Sequence, residues 1–229
     1  MHIGIVNWSL FYGKGGIERC ANILAGALLE RGHSITLFFN QSIKRLEKPA
    51  FPVPPGVSVI GLEFYTGLLK LDKARQTLVN ARLDALVVMM SWGEFVWFPV
   101  LLKGTGIPMI LSEHSNPEFV ISKWNAIERM ACMELADHIH VLTSGFAATF
   151  PEEMQNRVSV LPNPADINRG PLSGSGKNKR KILLGVGRFE ENPKQFSFLI
   201  RAFALIADSF PDWDLRLCGN GRSFEEYVT

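Results

Sequence analysis

Arg188 and Lys194 have the types and spacing to hold a diphosphate. Arg188 follows Val186-Gly187 at the carboxyl end of a predicted strand, and Lys194 opens the next predicted helix. Ligands of open α/β sheets bind at that end of the strands. An arginine fork grips two phosphate oxygens at once, while a lysine supplies a mobile point charge. The alternative is that both decorate a surface turn. A second glycine-marked loop, Gly13-Lys14-Gly15-Gly16-Ile17-Glu18-Arg19, stands after the first predicted strand. Gly15 and Gly16 would let backbone approach a ligand that side chains would keep away, or would simply turn the chain into a helix. His114 falls just past the carboxyl end of a third predicted strand, in the same loop layer, as a structural or a catalytic histidine.

Two common phosphate motifs are excluded. A Walker A loop needs Gly-Lys-Ser/Thr, but Glu18-Arg19-Cys20 fills that place. The dinucleotide GxGxxG spacing is absent after Gly13. Glu113 and Glu118 read as solvated or helix-capping carboxylates. His138 and His140 alternate on one strand face and read as packing residues, because no third ligand stands at metal spacing. No metal site is expected.

Short apolar runs alternating with helical patterns must position these groups, which predicts βαβ units and a parallel sheet. Strands are predicted at 2–8, 35–39, 57–62, 85–90, 109–112, 138–143 and 158–161, with helices at 17–31, 68–81, 95–102 and 123–136. Residues 163–180 lose this periodicity and end in Ser173-Gly174-Ser175-Gly176-Lys177-Asn178-Lys179-Arg180, the composition of a linker. Its basic cluster is read as solvated, with contact to lipid headgroups as the alternative. The rhythm resumes with a strand at 182–186, a helix at 194–209 and a strand at 213–218.

The 229 residues carry 24 Lys and Arg against 22 Asp and Glu, a net charge of +2. That near-neutral balance argues against nucleic acid as a partner, since a nucleic-acid binder concentrates a basic face. Cys20, Cys132 and Cys218 form no CxxC pair and read as reduced, mostly buried thiols of a cytoplasmic protein. Peripheral contact with an anionic membrane is compatible with this composition.

Taken in order, these residues resemble family 4 retaining glycosyltransferases of the GT-B fold. Gly15-Gly16-Ile17-Glu18-Arg19, followed by Ala25 and Leu28 to Gly32-His33, looks like that family's opening run. Glu113-His114 is similar to its mid-domain histidine, and Pro162-Asn163-Pro164 to its crossover turn. Val186-Gly187-Arg188, Lys194, Leu199-Ile200, Ala202-Phe203 and Gly219-Asn220-Gly221 resemble its second-domain block.

The resemblance implies an α/β GT-B architecture. A complete Rossmann-like N-terminal, acceptor-side domain would span 1–162, a linker 163–180, and the beginning of a Rossmann-like donor domain 181–229. It implies transfer of a sugar from a nucleotide-sugar donor to a glycan or lipid-linked acceptor. The setting would be polysaccharide or lipopolysaccharide assembly in the cytoplasm, with peripheral contact at the inner face of the membrane. The nucleotide-sugar would be a co-substrate, with no further cofactor.

Arg188 and Lys194 would clamp the donor diphosphate, Gly15 and Gly16 would approach it, and His114 would contact the transferred sugar or support the leaving group. Glu113, Asn163, Gly187, Gly219 and Gly221 are further candidates for the cleft. Three departures stand out. The Arg-to-Lys loop is one residue longer than usual, with Gln195 where glycine is common. Pro164 replaces the glycine of the crossover turn. The chain also reaches Thr229 before the paired-glutamate motif, so the expectation is an incomplete second domain and an inactive 229-residue chain. The alternative is a non-catalytic truncated remnant acting as a binding or interaction module.

Overall fold

The computed structural model describes residues 1–7, 10–11, 15–41, 46–63, 68–89, 97–123, 126–165, 181–190 and 194–228. Gly13, Lys14 and residues 166–180 of the expected linker lie outside the described residues. The chain divides into two compact units, Met1–Asp166 and Ile167–Thr229.

The first unit is a parallel sheet of seven strands. These are β1 (His2–Asn7), β2 (Ser34–Asn40), β3 (Ser58–Leu62), β4 (Ala85–Met89), β5 (Met109–Glu113), β6 (His138–Val141) and β7 (Val158–Val160), in the order β3-β2-β1-β4-β5-β6-β7. Both faces are covered, which explains why the strands read as continuous apolar runs. Ile3, Ile5, Ile35 and Leu37 pack with Cys20, Ala21 and Ala25 of helix α1 (Gly16–Glu30). Alternate positions turn the other way, so Val6, Phe38, Leu86, Val88, Leu111 and Ile139 join Leu78 and Met133 in a second cluster. Burying each such side chain contributes roughly 1.5–3 kcal/mol. Helix α1 stops at Gly32, whose φ of +82° suits glycine, with Gly32 N–H donating to the Leu29 carbonyl.

Helices α2 (Leu68–Asn80) and α3 (Trp97–Leu102) follow the expected pattern. Within the helix expected over 123–136 stands α5 (Ala126–Glu134), and before it comes α4 (Pro117–Lys123), which the pattern did not predict. Asn116 starts α4, its Oδ1 accepting from Glu118 N–H at 2.9 Å, and Pro117 stands where no N–H is required. After β6, a short helix α6 (Ser144–Ala147) and a 3-10 turn (Glu152–Arg157) precede β7.

In the second unit, β8 (Lys181–Val186) pairs in parallel with β9 (Trp213–Cys218), flanked by α7 (Phe196–Ala204) and α8 (Phe224–Val228). The expected helix from Lys194 starts later, at Phe196, because Gln195 takes a left-handed φ of +50°. Phe189, Phe196, Phe224 and Tyr227 form an aromatic cluster with ring centroids 5.4–6.0 Å apart.

Candidate functional site

Alternation along β5 sends Met109, Leu111 and Glu113 to the core face and Ser112 to the opposite one. Glu113 is therefore enclosed, 1% exposed, and the expectation of a solvated or capping carboxylate fails. It receives a two-pronged grip from Arg129 of α5, Nε donating to Oε1 at 2.8 Å and Nη2 to Oε2 at 2.7 Å. Arg129 is itself 1% exposed, donates to Thr149 Oγ1 at 3.2 Å, and lies over the Phe150 ring at 4.5 Å. A buried ion pair needs this degree of satisfaction to offset its desolvation. Arg129 shares its helix face with Cys132 and Met133, so an apolar stripe containing one arginine was the available signal for it. Glu118, by contrast, is exposed in the first turn of α4, as expected of a solvated or capping group.

His114 follows Glu113 and is partly buried. Its Nε2 lies 2.9 Å from Ser112 Oγ, which in turn lies 2.6 Å from His140 Nδ1, and the two rings meet edge to face at 5.8 Å. Ser112 and His140 are direct partners in the β5–β6 register. His140 Nε2 donates to the Leu161 carbonyl at 2.8 Å, and His138 Nε2 meets Ser159 Oγ at 2.8 Å. His138 and His140 are thus members of a polar ladder rather than mere packing residues. Burial, and secondarily the neighbouring His140 imidazole, push the His114 pKa down to about 4. Asn163 lies against the same ring and favours its protonated form, but among the described residues no partner, donor or acceptor, meets Nδ1 with hydrogen-bond geometry. Asn163 Oδ1 also accepts from the Cys20 thiol at 3.3 Å, which brings the start of α1, the crossover turn and His114 together.

Gly15 and Gly16 open α1. Gly15 has extended backbone at φ −117°, and a side chain on Gly16 would meet nothing within 4 Å. A side chain on Gly15 would meet only the Glu18 carboxylate, which folds back over the first turn. Neither backbone strain nor packing against the described residues requires glycine at either position.

In the second unit, Arg188 is 64% exposed at its side chain, 3.7 Å from Glu190. Lys194 is also exposed, and its N–H donates to the Glu190 carbonyl at 3.1 Å, closing the loop between them. The Lys194 stem passes Gly187, with Cδ 3.8 Å from where a Gly187 side chain would begin. Gly219 and Gly221 have packing reasons. A side chain on Gly219 would collide with the Gly187 carbonyl, and one on Gly221 with the Phe189 backbone. Hydrogen bonds from Gly187 N–H to Cys218 O and from Phe189 N–H to Asn220 O hold those loops together at 3.1 and 2.9 Å. Cys20 and Cys132 are buried, the latter with its thiol pushed up to about 12, whereas Cys218 is exposed.

Residues 14–169 match the family described as Glycosyltransferase Family 4. An uncharacterized glycosyltransferase of Haemophilus influenzae is 26% identical over 220 residues, covering 92% of this chain and 60% of that protein. A Campylobacter jejuni protein is 24% identical over 226 residues, covering 93% of this chain and 60% of its own length. It is named GalNAc-alpha-(1->4)-GalNAc-alpha-(1->3)-diNAcBac-PP-undecaprenol alpha-1,4-N-acetyl-D-galactosaminyltransferase. Among solved structures, an Anabaena protein in complex with UDP and glucose superposes with a TM-score of 0.66 at 18% identity, over 99% of this chain and 63% of that one. The fold is therefore α/β of the same kind, and the chain spans about 60% of the length of the relatives it matches.

Proposed function

The chain belongs to glycosyltransferase family 4, and on that premise we propose that it moves a sugar from a nucleotide-sugar to a glycan or lipid-linked acceptor, with retention at the anomeric carbon. The match over residues 14–169 carries this reading. The Campylobacter relative, named for an undecaprenol-linked acceptor, and the Anabaena neighbour, holding UDP, support a UDP-sugar and a polyprenyl-diphosphate-linked glycan as the first substrates to try. With such an acceptor, the reading sets the work at the cytoplasmic face of a membrane, in envelope polysaccharide assembly. No helix among the described residues is long and apolar enough to cross one.

In this reading Arg188 and Lys194 receive the donor diphosphate. Fixed cations stabilise charge developing on the leaving group, the role a metal ion plays elsewhere. Gly15 and Gly16 leave the backbone at the start of α1 open to close approach by a donor diphosphate, once the Glu18 carboxylate turns away. His114 faces the transferred sugar.

The test is release of UDP from UDP-sugars by the complete protein in the presence of a polyprenyl-diphosphate-linked oligosaccharide. Transfer is expected, and absence of release with every donor would remove the reading. Donor binding without transfer would favour a non-catalytic binding module. Arg188→Ala is expected to lower kcat/KM by about 3 kcal/mol, roughly a hundredfold. Unchanged kinetics would take Arg188 out of the site.

A further inference from the structure

The hydrogen bonds around His114 have a fixed direction, set by a backbone group at their far end. His140 Nε2 lies 2.8 Å from the Leu161 carbonyl oxygen. A carbonyl only accepts, so this nitrogen carries a proton. In the neutral ring Nδ1 is then an acceptor, and the Ser112 hydroxyl, 2.6 Å away, donates to it. Having given its one proton, Ser112 Oγ accepts from His114 Nε2 at 2.9 Å. His114 therefore keeps a lone pair on Nδ1, and among the described residues that atom is buried without a hydrogen-bond partner. A buried acceptor left unmatched points to a donor that arrives from outside the chain.

We propose that Ser112 and His140 are positioning residues that hold His114 in its Nε2–H tautomer, so that Nδ1 accepts a hydrogen bond from a substrate hydroxyl. The proposal rests on the sugar-transfer reading and adds the sense of the contact: His114 receives the proton of the hydrogen bond and does not give one. The parallel register that pairs Ser112 with His140 sets the relay within two hydrogen-bonded strands. A charged His114 would turn Nδ1 into a donor and abolish the acceptor, and the burial that pushes its pKa down to about 4 opposes that charge. Asn163, exposed and hydrogen-bonded through the weak donor of the Cys20 thiol, is the group a hydroxyl would displace to reach Nδ1.

Nitrogen-15 NMR of the histidine rings in the uniformly labelled chain at neutral pH reads the tautomers directly, with His114→Asn assigning the signals. His114 and His140 are both expected to show protonated Nε2 and bare Nδ1. A protonated Nδ1 on His114 would overturn the proposal. His140→Phe removes the acceptor of the Ser112 hydroxyl, which becomes free to donate to His114 Nε2; the ring is then expected to shift toward its Nδ1–H form. Ser112→Ala should give a mixture of tautomers. An unchanged His114 signal in both variants would also overturn the proposal; if either variant fails to fold, the unsubstituted spectrum still decides. In the complete enzyme, Ser112→Ala is expected to lower kcat about tenfold with little change in KM for the donor, and unaltered kcat with an altered tautomer would refute the positioning role. Absence of turnover in the unsubstituted enzyme would instead remove the transfer reading, and the hydroxyl partner with it, while the tautomer stands on its own spectrum.

Discussion

His114 loses solvent on folding and gains the neighbourhood of a second imidazole, so its ring stays neutral until pH falls near 4, against 6.5 for an ordinary histidine. Between those values the unfolded chain binds this proton and the folded one does not. The stability that the neutral ring confers is therefore fully present above about pH 6.5 and is lost as pH falls toward 4. The expected loss is on the order of 3 kcal/mol, levelling off below pH 4. His114→Gln cannot take up the proton and should flatten this part of the profile in urea unfolding followed from pH 7 to pH 4. An unaltered slope would mean that another group carries the acid sensitivity.

Helix α5 is fastened to the end of β5 by Arg129 and Glu113, and this contact fixes the backbone from which His114 departs. Arg129→Met would leave the Glu113 carboxylate enclosed without a partner, at an expected cost of 3–5 kcal/mol in denaturant unfolding, about the loss seen when one member of a buried pair is removed. Adding Glu113→Leu should restore most of that, and a double variant as unstable as the single one would refute the account. Helix α7 begins from a strained residue, since Gln195 holds φ at +50°. Gln195→Gly is expected to stabilise the second unit by about 1 kcal/mol, the penalty of a left-handed side chain.

Most strands and the stop of α1 were legible because apolar runs and Gly32 speak locally. The start of α4 was marked by Asn116-Pro117-Glu118, a signal set inside what reads as a loop. Glu113 and Arg129 each occupied a core-facing slot of their own element, yet a charge invites a solvent-facing reading until its partner is known. The bond between Ser112 and His140 depends on β5 lying beside β6, which single-strand patterning does not reveal.

At the scale of the chain the two units differ in how completely they enclose apolar surface. The first covers both sheet faces, whereas β8 and β9 leave Leu184 58% and Val186 72% exposed, and Phe198 and Leu205 project from α7 and the turn after it. Amide exchange by mass spectrometry is expected to protect β1, β2 and β4 far more than β8 and β9 in the 229-residue chain. Equal protection would show that the second unit is independently stable.

The interior strand β1 bonds with β2 on one side and β4 on the other, Ile3 pairing with both Ile35 and Ala85. A ribosome adds about 5–20 residues per second, so β4 is made seconds after β2. During that interval one edge of β1 has no strand to pair with, and an unpaired apolar edge is a template for strands of other chains. A strand paired on both sides in the finished molecule is thus among those most in need of escort at birth.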